Sequence, residues 1–259
     1  MPTVTLSLKI YNDDQLKNIK EHIKSSLKGL KVQIESVKAV LQGWIQVTLS
    51  GEDENAALSY LENMFGLCPI HINNITKFSI VRGYIIGLGK MEEELQLNIG
   101  PNIVNVTIPL QHLQAQLVDG RKIALKKIVE LYGLCENMPL TVKVTSVSGN
   151  CLEAIIAEKQ LEQYKRWVRL LLDRLIILGA SQQEIRKALK EAKCQNDVVE
   201  IEELGFFEYD AICKLGVDAV GLIPKVGKKL PNATLHVFSP KKILEVSVLP
   251  FLDKFVLTV

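Results

Sequence analysis

Apolar and polar residues alternate over the first 77 residues in the pattern of a small α/β unit. The period-two apolar positions of the first predicted strand are Val4, Leu6, Leu8 and Ile10. Segments with an apolar spacing of three and four alternate with further strands in the order β-α-β-β-α, and a last strand is predicted near Ile70–Ile72. This order predicts a ferredoxin-like α/β sandwich over residues 1–77.

Residues 78–157 consist of short apolar runs separated by polar turns and glycines, as in a small β-barrel. The five predicted strands are Ser79–Ile86, Glu94–Ile99, Asn102–Pro109, Leu140–Ser146 and Cys151–Ala157. Helical spacing within Leu110–Leu134 places a helix between the third and fourth strands. Since this is the order of an OB fold, we predict an OB-like barrel.

A helical hairpin is predicted over residues 158–196. Its first helix runs from Glu158 to Leu178, with one apolar face and a terminating Gly179. Ser181 and Glu184 form a capping box for the second helix, which continues through Ala192. Within the hairpin, Leu175–Leu189 resembles a helix-turn-helix that reads DNA, although a plain capped hairpin has the same pattern.

The remaining residues, 197–259, are predicted to form a small β-rich module with several glycines and prolines. Its strands are predicted near Val198–Leu204, Phe206–Leu215, Val220–Pro224, Leu235–Phe238 and Ile243–Val248. The fold class is therefore α+β, with four units in the order sandwich, barrel, hairpin and β-rich module.

The composition is that of a globular protein, with 259 residues, 47% hydrophobic and 23% charged. The beginning of the sequence lacks the pattern of a signal peptide, and no apolar run approaches the ~20 residues that span a membrane. The five cysteines include no C-x-x-C pair, which favours reduced thiols. We expect a soluble cytoplasmic protein without membrane association.

The charges are unevenly distributed, although the formal net charge is only +2. Residues 110–193 contain fourteen Lys or Arg against nine Asp or Glu, whereas residues 194–210 contain six acidic residues and no basic ones. Lysines dominate again in residues 211–245. A polarised surface of this kind favours an anionic partner such as nucleic acid, but ordinary surface charges also give such local excesses.

The candidate nucleic-acid contacts are the basic side chains of three segments. Those of the long helix are Arg166, Arg169 and Arg174, and those after the third barrel strand are Arg121, Lys122, Lys126 and Lys127. Those of the Gly- and Lys-rich segment near the end of the chain are Lys214, Lys225, Lys228 and Lys229. Such side chains suit phosphate and sugar contacts. The alternative interpretations are a solvated helix face, a polar loop and structural turns.

The predicted barrel lacks the exposed aromatic platform on which bases stack, since its second strand begins Glu94-Leu-Gln-Leu97. The nearest aromatic candidates are Tyr84 and His112. This lowers the affinity for nucleic acid that we expect of the barrel by itself.

The sequence favours a binding protein over an enzyme. The four histidines lie far apart without Cys or carboxylate at metal-ligand spacing, and the segment Lys214–Lys229 lacks the order of a phosphate-binding P-loop. We expect no catalytic residue, metal site, cofactor or small-molecule substrate, although a triad assembled only in three dimensions leaves no such pattern.

Two segments, Ile108–Lys127 and Asp197–Pro240, resemble an archaeal family known as domain of unknown function 2110. The resemblance implies an archaeal cytoplasmic protein and assigns no reaction or site. The barrel is also loosely similar to the S1-type OB domains of translation proteins.

We therefore predict a non-catalytic RNA-binding protein of the archaeal information-processing machinery, associated with the ribosome or its RNA. One alternative is a transcription-linked factor that binds DNA or RNA polymerase through the helical hairpin. Another is a protein-interaction scaffold built on the ferredoxin-like domain.

Overall fold

A closed five-stranded barrel and two open sheets make up the computed structural model, which describes residues 1–90, 92–101, 105–149 and 151–246. The strands are β1 (Thr3–Lys9), β2 (Val32–Val40), β3 (Trp44–Gly51), β4 (Ile80–Ile86), β5 (Glu94–Asn98), β6 (Val106–Pro109), β7 (Pro139–Ser148), β8 (Cys151–Ile156), β9 (Arg174–Leu178), β10 (Val198–Glu203), β11 (Glu208–Cys213) and β12 (Thr234–Phe238). The α-helices are α1 (Asp13–Ser26), α2 (Glu54–Phe65), α3 (Leu110–Leu117), α4 (Leu125–Tyr132), α5 (Glu158–Leu170), α6 (Gln182–Glu191) and α7 (Ile223–Gly227), and residues 240–246 are also helical. No helix of these described residues is long and apolar enough to cross a membrane.

The N-terminal unit is a three-stranded antiparallel sheet in the order β1-β3-β2, with α1 and α2 packed against it. Asn12 caps α1 by accepting the N–H of Gln15 at 3.0 Å, as the sequence predicts for this position. The strand predicted near Ile70–Ile72 is wrong. The chain instead makes an isolated bridge between Leu6 and Leu67, and Ile72–Asn74 form a 3₁₀ helix. In the order β1-β3-β2, the strand β2 is an edge of this sheet.

The barrel closes in the order β4-β5-β6-β8-β7, which confirms a five-stranded closed sheet. The strands β6 and β8 pair in parallel, and alternate residues of all five strands fill the interior. Two helices, α3 and α4, replace the single predicted helix between the third and fourth strands. Of the predicted third strand, Asn102–Val104 lie outside the described residues, and β6 begins at Val106.

The predicted helical hairpin is wrong, because the long helix ends at Leu170 rather than at Leu178. Leu171 has a left-handed φ of +56° and ends α5, and β9 begins at Arg174. This strand pairs with both β11 and β12 in a four-stranded sheet of order β10-β11-β9-β12. The DNA-reading helix-turn-helix predicted over Leu175–Leu189 is therefore not formed, although α6 and its capping box are present.

Burial on both faces explains why β9 looks like a helix in the sequence. All five of its residues are buried. Ile176 and Leu178 belong to the barrel core, and Leu175 and Ile177 belong to the core under α6. A strand covered on both faces is a continuous apolar run, which by itself cannot be distinguished from the end of a buried helix.

The C-terminal module predicted for residues 197–259 begins too late in the sequence, because its sheet also contains β9, which lies before residue 197. Three of its predicted strands are confirmed as β10, β11 and β12. The strand predicted at Val220–Pro224 is wrong, because a 3₁₀ helix, Ala219–Leu222, and α7 occupy this segment. The strand predicted at Ile243–Val248 is also wrong over its described part, since residues 240–246 are helical.

A buried polar junction lies where the N-terminal unit, the barrel and the four-stranded sheet meet. Tyr11 donates its hydroxyl to Oε1 of Glu208 at 2.7 Å, and Arg82 of the barrel donates to the carbonyl of Leu204 at 2.5 Å. Glu208 is 1% exposed, and burial raises its pKa to about 7. Lys9 is also buried, and desolvation lowers its pKa to about 8. The junction therefore holds ionisable groups at the contact between all three units.

Candidate nucleic-acid interface

Phe78 is an exposed aromatic residue just before β4, at the rim of the barrel. It is 60% exposed and has a φ of +73°. Glycine adopts such a left-handed backbone easily, whereas aromatic residues do so rarely and at a cost in free energy. The backbone at Phe78 is therefore strained, although the side chain gains no burial from it.

A four-residue turn, Thr76–Ser79, keeps Phe78 in this conformation. The N–H of Ser79 donates to the carbonyl of Thr76 at 3.0 Å, and the N–H of Thr76 donates to Oγ of Ser79 at 3.1 Å. The N–H of Phe78 donates to the carbonyl of Val144 on β7 at 2.8 Å. Phe78 occupies the third position of the turn, where a positive φ favours Gly or Asn. Strain of this kind concentrates at functional sites.

Two lysines surround the exposed ring. The Nζ atoms of Lys77 and Lys143 each lie 5.1 Å from the ring centroid of Phe78. Lys143 comes close through the pairing of β7 with β4, where it lies opposite Ile80, an apolar residue that is 68% exposed. We call these four residues, Lys77, Phe78, Ile80 and Lys143, the Phe78 surface. It combines an aromatic face for stacking with two cations for phosphate.

A cleft of about 730 Å³ begins beside the Phe78 surface, since Ser79 and Ile80 line it. Its opposite side is formed by β1 and by the end of α2, so it runs between the N-terminal unit and the barrel. Hydroxyl-bearing residues Thr5, Ser7 and Thr141 are part of its lining. The cleft therefore places hydroxyl groups of the N-terminal unit and of the barrel beside the exposed ring.

Tyr84, an aromatic candidate from the sequence, is not available for stacking. It is 1% exposed and packs edge-on against Trp44 at a centroid distance of 5.3 Å. Trp44 also donates its Nε1–H to Oδ1 of Asn98 on β5 at 3.1 Å. The N-terminal unit thus covers part of the outer barrel surface of β4 and β5, and the exposed aromatic residue lies at the rim instead.

The basic residues after the third barrel strand lie in the loop between α3 and α4 and in the first turn of α4. Arg121 donates to the carbonyl of Val246 at 2.5 Å, and Lys127 pairs with Glu130 at 3.0 Å. Lys122 and Lys126 are exposed. These two lysines are accessible to phosphate without breaking an ion pair of the described residues.

Of the three arginines assigned to the long helix, Arg174 is a wrong prediction. It is fully buried on β9, makes an ion pair with the buried Asp210, and stacks its guanidinium 4.7 Å from the ring centroid of Trp167. Glu202 accepts from Arg174 at 2.9 Å and from Arg166 at 2.9 Å. Burial raises the pKa of Asp210 to about 6 in spite of this pairing. Arg174 therefore stabilises the fold and does not reach a ligand.

Arg169 remains exposed, as predicted, and lines a cleft of about 390 Å³ together with Lys165 and with Asp119 from the loop after α3.

The lysines near the end of the chain lie on other elements. Lys214 follows β11, Lys225 is in α7, and Lys228 and Lys229 follow α7. All four are exposed, and Lys229 lies 3.5 Å from Glu191. The predicted basic residues thus occupy three separate parts of the fold.

Sequence reasoning missed Phe78, because one of its two cationic neighbours is distant in the chain. Lys143 is adjacent only through the β4–β7 ladder. The sequence signal that was present is an aromatic residue beside a lysine directly before a predicted strand. Within the described residues no group of three or more His, Cys, Asp or Glu side chains is placed to hold a metal ion.

Comparison with known proteins gives a family but no activity. Residues 3–70 match the DUF2110 N-terminal domain, and residues 172–238 match the DUF2110 C-terminal domain. The second match begins just before β9 and ends with β12, in agreement with the boundaries of the four-stranded sheet. No curated protein matches the chain.

One solved structure, of a protein from Thermus thermophilus, aligns with 95% of this chain at 14% identity and a TM-score of 0.18. The alignment covers 42% of that protein, so this chain spans less than half of its length. The two domain matches together cover just over half of the chain, one at each side of the barrel. The protein therefore belongs to the family of domain of unknown function 2110.

Proposed function

We propose that this protein binds single-stranded RNA through the Phe78 surface, without catalysis, and that its role lies in the information-processing machinery with ribosomal RNA as the first target. The observation that carries the proposal is the exposed Phe78 ring, held in a strained turn between two lysine ammonium groups. Strain and apolar exposure at one residue both cost free energy, and a ligand that stacks on the ring accounts for both.

The chemistry of this surface fits an unpaired nucleotide. An aromatic ring accepts the face of any base, and each stacked base contributes about 1–3 kcal/mol to binding. Lys77 and Lys143 then lie where the flanking phosphates pass. Hydroxyl groups along the adjoining cleft, from Thr5 to Thr141, suit the 2′-hydroxyl that distinguishes RNA from DNA.

The exposed lysines elsewhere extend the positive field rather than form the site. Lys122, Lys126, Lys214, Lys225 and Lys228 are all exposed, and none forms an ion pair with another described residue. They favour nonspecific attraction of a polyanion at low salt. The alternative of a DNA reader loses its motif, because β9 replaces the end of the first helix of the predicted hairpin. Binding of RNA polymerase stays a prediction. A pull-down from lysate with this protein as bait distinguishes the two hypotheses, since polymerase subunits favour the transcription-linked role and ribosomal proteins favour the proposed one.

To test this proposal, the affinity of the protein for a fluorescein-labelled oligouridylate is measured by fluorescence anisotropy at low and at moderate salt. The oligonucleotide is about twelve nucleotides long, a length within the range that single-strand binding modules occupy. Phe78→Gly should weaken binding by about 5- to 150-fold, because one stacked base is lost. The same change should leave the free energy of unfolding equal or about 1 kcal/mol higher, since glycine relieves the positive φ. Loss of binding without loss of stability separates a ligand contact from a structural role.

Tyr60→Ala is the matched control, because Tyr60 is an exposed aromatic residue on α2 that does not line the cleft beside the Phe78 surface. It should bind the oligonucleotide as the parent does. Lys77→Gln and Lys143→Gln should each reduce the slope of log affinity against log salt by about 0.7, as expected for one lost phosphate contact to a single strand. Absence of binding at low salt, or parental affinity in Phe78→Gly, contradicts the proposal.

A further inference from the structure

A second surface, distant in sequence from the Phe78 surface, has the form of a strand-accepting groove. It lies between α1 and the edge strand β2, with a volume of about 1110 Å³. The apolar residues of its lining are Leu27, Leu30, Val32, Ile34 and Val37. Three of them, Leu30, Val32 and Ile34, are only partly buried. Apolar side chains and a free strand edge therefore face the same groove.

Lysines form one side of this groove. Lys20 and Lys24 lie one turn apart on α1, and Lys28 follows the end of that helix. All three are exposed, and none makes an ion pair with any residue in the described part of the chain. The acidic residues of the lining are Glu21 and Glu35, and Glu35 accepts the hydroxyl of Ser50 at 2.5 Å. Three lysines against two glutamates leave the lining with a formal net charge of +1, beside its apolar residues.

We propose that this groove binds an extended acidic segment of a partner protein, which adds a strand to β2. An added strand satisfies the unpaired backbone groups of the sheet edge, and its alternate apolar side chains fill pockets such as that between α1 and β2. Its acidic side chains face Lys20, Lys24 and Lys28. Charge complementarity of this kind sets partner choice and the rate of association.

Two other occupants fit the groove less well. Pairing of two copies through β2 would bring the lysine rows of both α1 helices to one interface, where like charges repel. RNA lacks a stacking partner here, since no aromatic residue is among the described residues that line the groove. The β-bulge between Ile34 and Ser36, together with the exposed Lys38, restrains indiscriminate edge pairing.

The test is selection of a displayed library of short random peptides against the full chain. Enriched sequences should alternate apolar with acidic residues, and a synthetic peptide of the enriched sequence should bind with an affinity that falls at high salt. The combined change Lys20→Glu, Lys24→Glu and Lys28→Glu should weaken that peptide about tenfold or more. Ile34→Asp, which places a carboxylate in the apolar floor, should do the same.

The matched control reverses three exposed lysines elsewhere, Lys122, Lys126 and Lys165, and should leave peptide affinity unchanged. No enrichment, or enriched peptides without acidic residues, overturns the proposal. Parental peptide affinity in the variant with all three α1-side lysines changed to glutamate also overturns it. The same holds if light scattering shows a dimer that Ile34→Asp dissociates, or if this triple variant alone loses oligouridylate binding. The Phe78→Gly variant should bind the peptide normally, so failure here and failure of RNA binding are separate results.

Discussion

Replacing Arg174 with methionine should lower the free energy of unfolding by about 3–5 kcal/mol at mildly alkaline pH. Arg174 is fully buried, and so is its partner Asp210. Removing the guanidinium leaves a carboxylate in an apolar surrounding without its cation. Methionine fills most of the volume that the arginine side chain occupies against Trp167. The decrease in the free energy of unfolding therefore measures the missing charge more than a cavity. Chemical denaturation of the parent and the variant measures the difference.

The loss should shrink on acidification, because Asp210 can then be neutral. Burial already raises the pKa of Asp210 to about 6, and removal of Arg174 raises it further. Below that pH the carboxyl group is therefore largely protonated, and the variant should recover much of its stability. Arg169→Met is the control, since Arg169 is exposed, and it should change the free energy of unfolding by less than about 0.5 kcal/mol. A pH-independent loss in Arg174→Met contradicts this account.

Glu208→Gln should make the protein more stable than the parent at mildly alkaline pH and should remove part of its pH dependence. Burial raises the pKa of Glu208 from 4.5 to about 7, so the folded state holds a proton that the unfolded state releases between these values. The stabilisation from this group is fully present below pH 4.5 and is lost as the pH rises to about 7. A shift of this size corresponds to roughly 3 kcal/mol.

Glutamine retains the acceptor for the hydroxyl of Tyr11, so the junction should keep its geometry. The difference in unfolding free energy between Glu208→Gln and the parent should therefore increase steadily from pH 4.5 to about pH 7 in favour of the variant. Glu200→Gln, at an exposed carboxylate on β10, is the control. A difference that is constant with pH, or that favours the parent at alkaline pH, contradicts the raised pKa.

The local elements whose residues form patterns by themselves could be predicted from the sequence. The period-two strand β1, the capped helices α1 and α6, and the five barrel strands are of this kind. Burial of one face and polar exposure of the other give these elements their pattern. The buried strand β9 has no polar face, and its apolar residues continue the spacing of α5, so its type depends on contacts with β11 and β12.

The candidate site was harder to predict for the same reason. A basic side chain looks alike in the sequence whether it faces water or a buried carboxylate. Arg174 is buried beside Asp210 whereas Arg169 is exposed, and the proximity of Arg174 to Asp210 arises from the pairing of β9 with β11. The Phe78 surface likewise depends on the pairing of β4 with β7 and on a turn that imposes a positive φ.

The position of β9 has a consequence for any attempt to divide the protein. A fragment that begins near residue 172 retains the whole four-stranded sheet but leaves Ile176 and Leu178 without their barrel neighbours. A fragment that ends before residue 172 removes those same side chains from the barrel core. Each half would expose a large apolar patch and tend to aggregate. The two halves should accordingly melt together as one cooperative unit, and limited proteolysis should not release either of them intact.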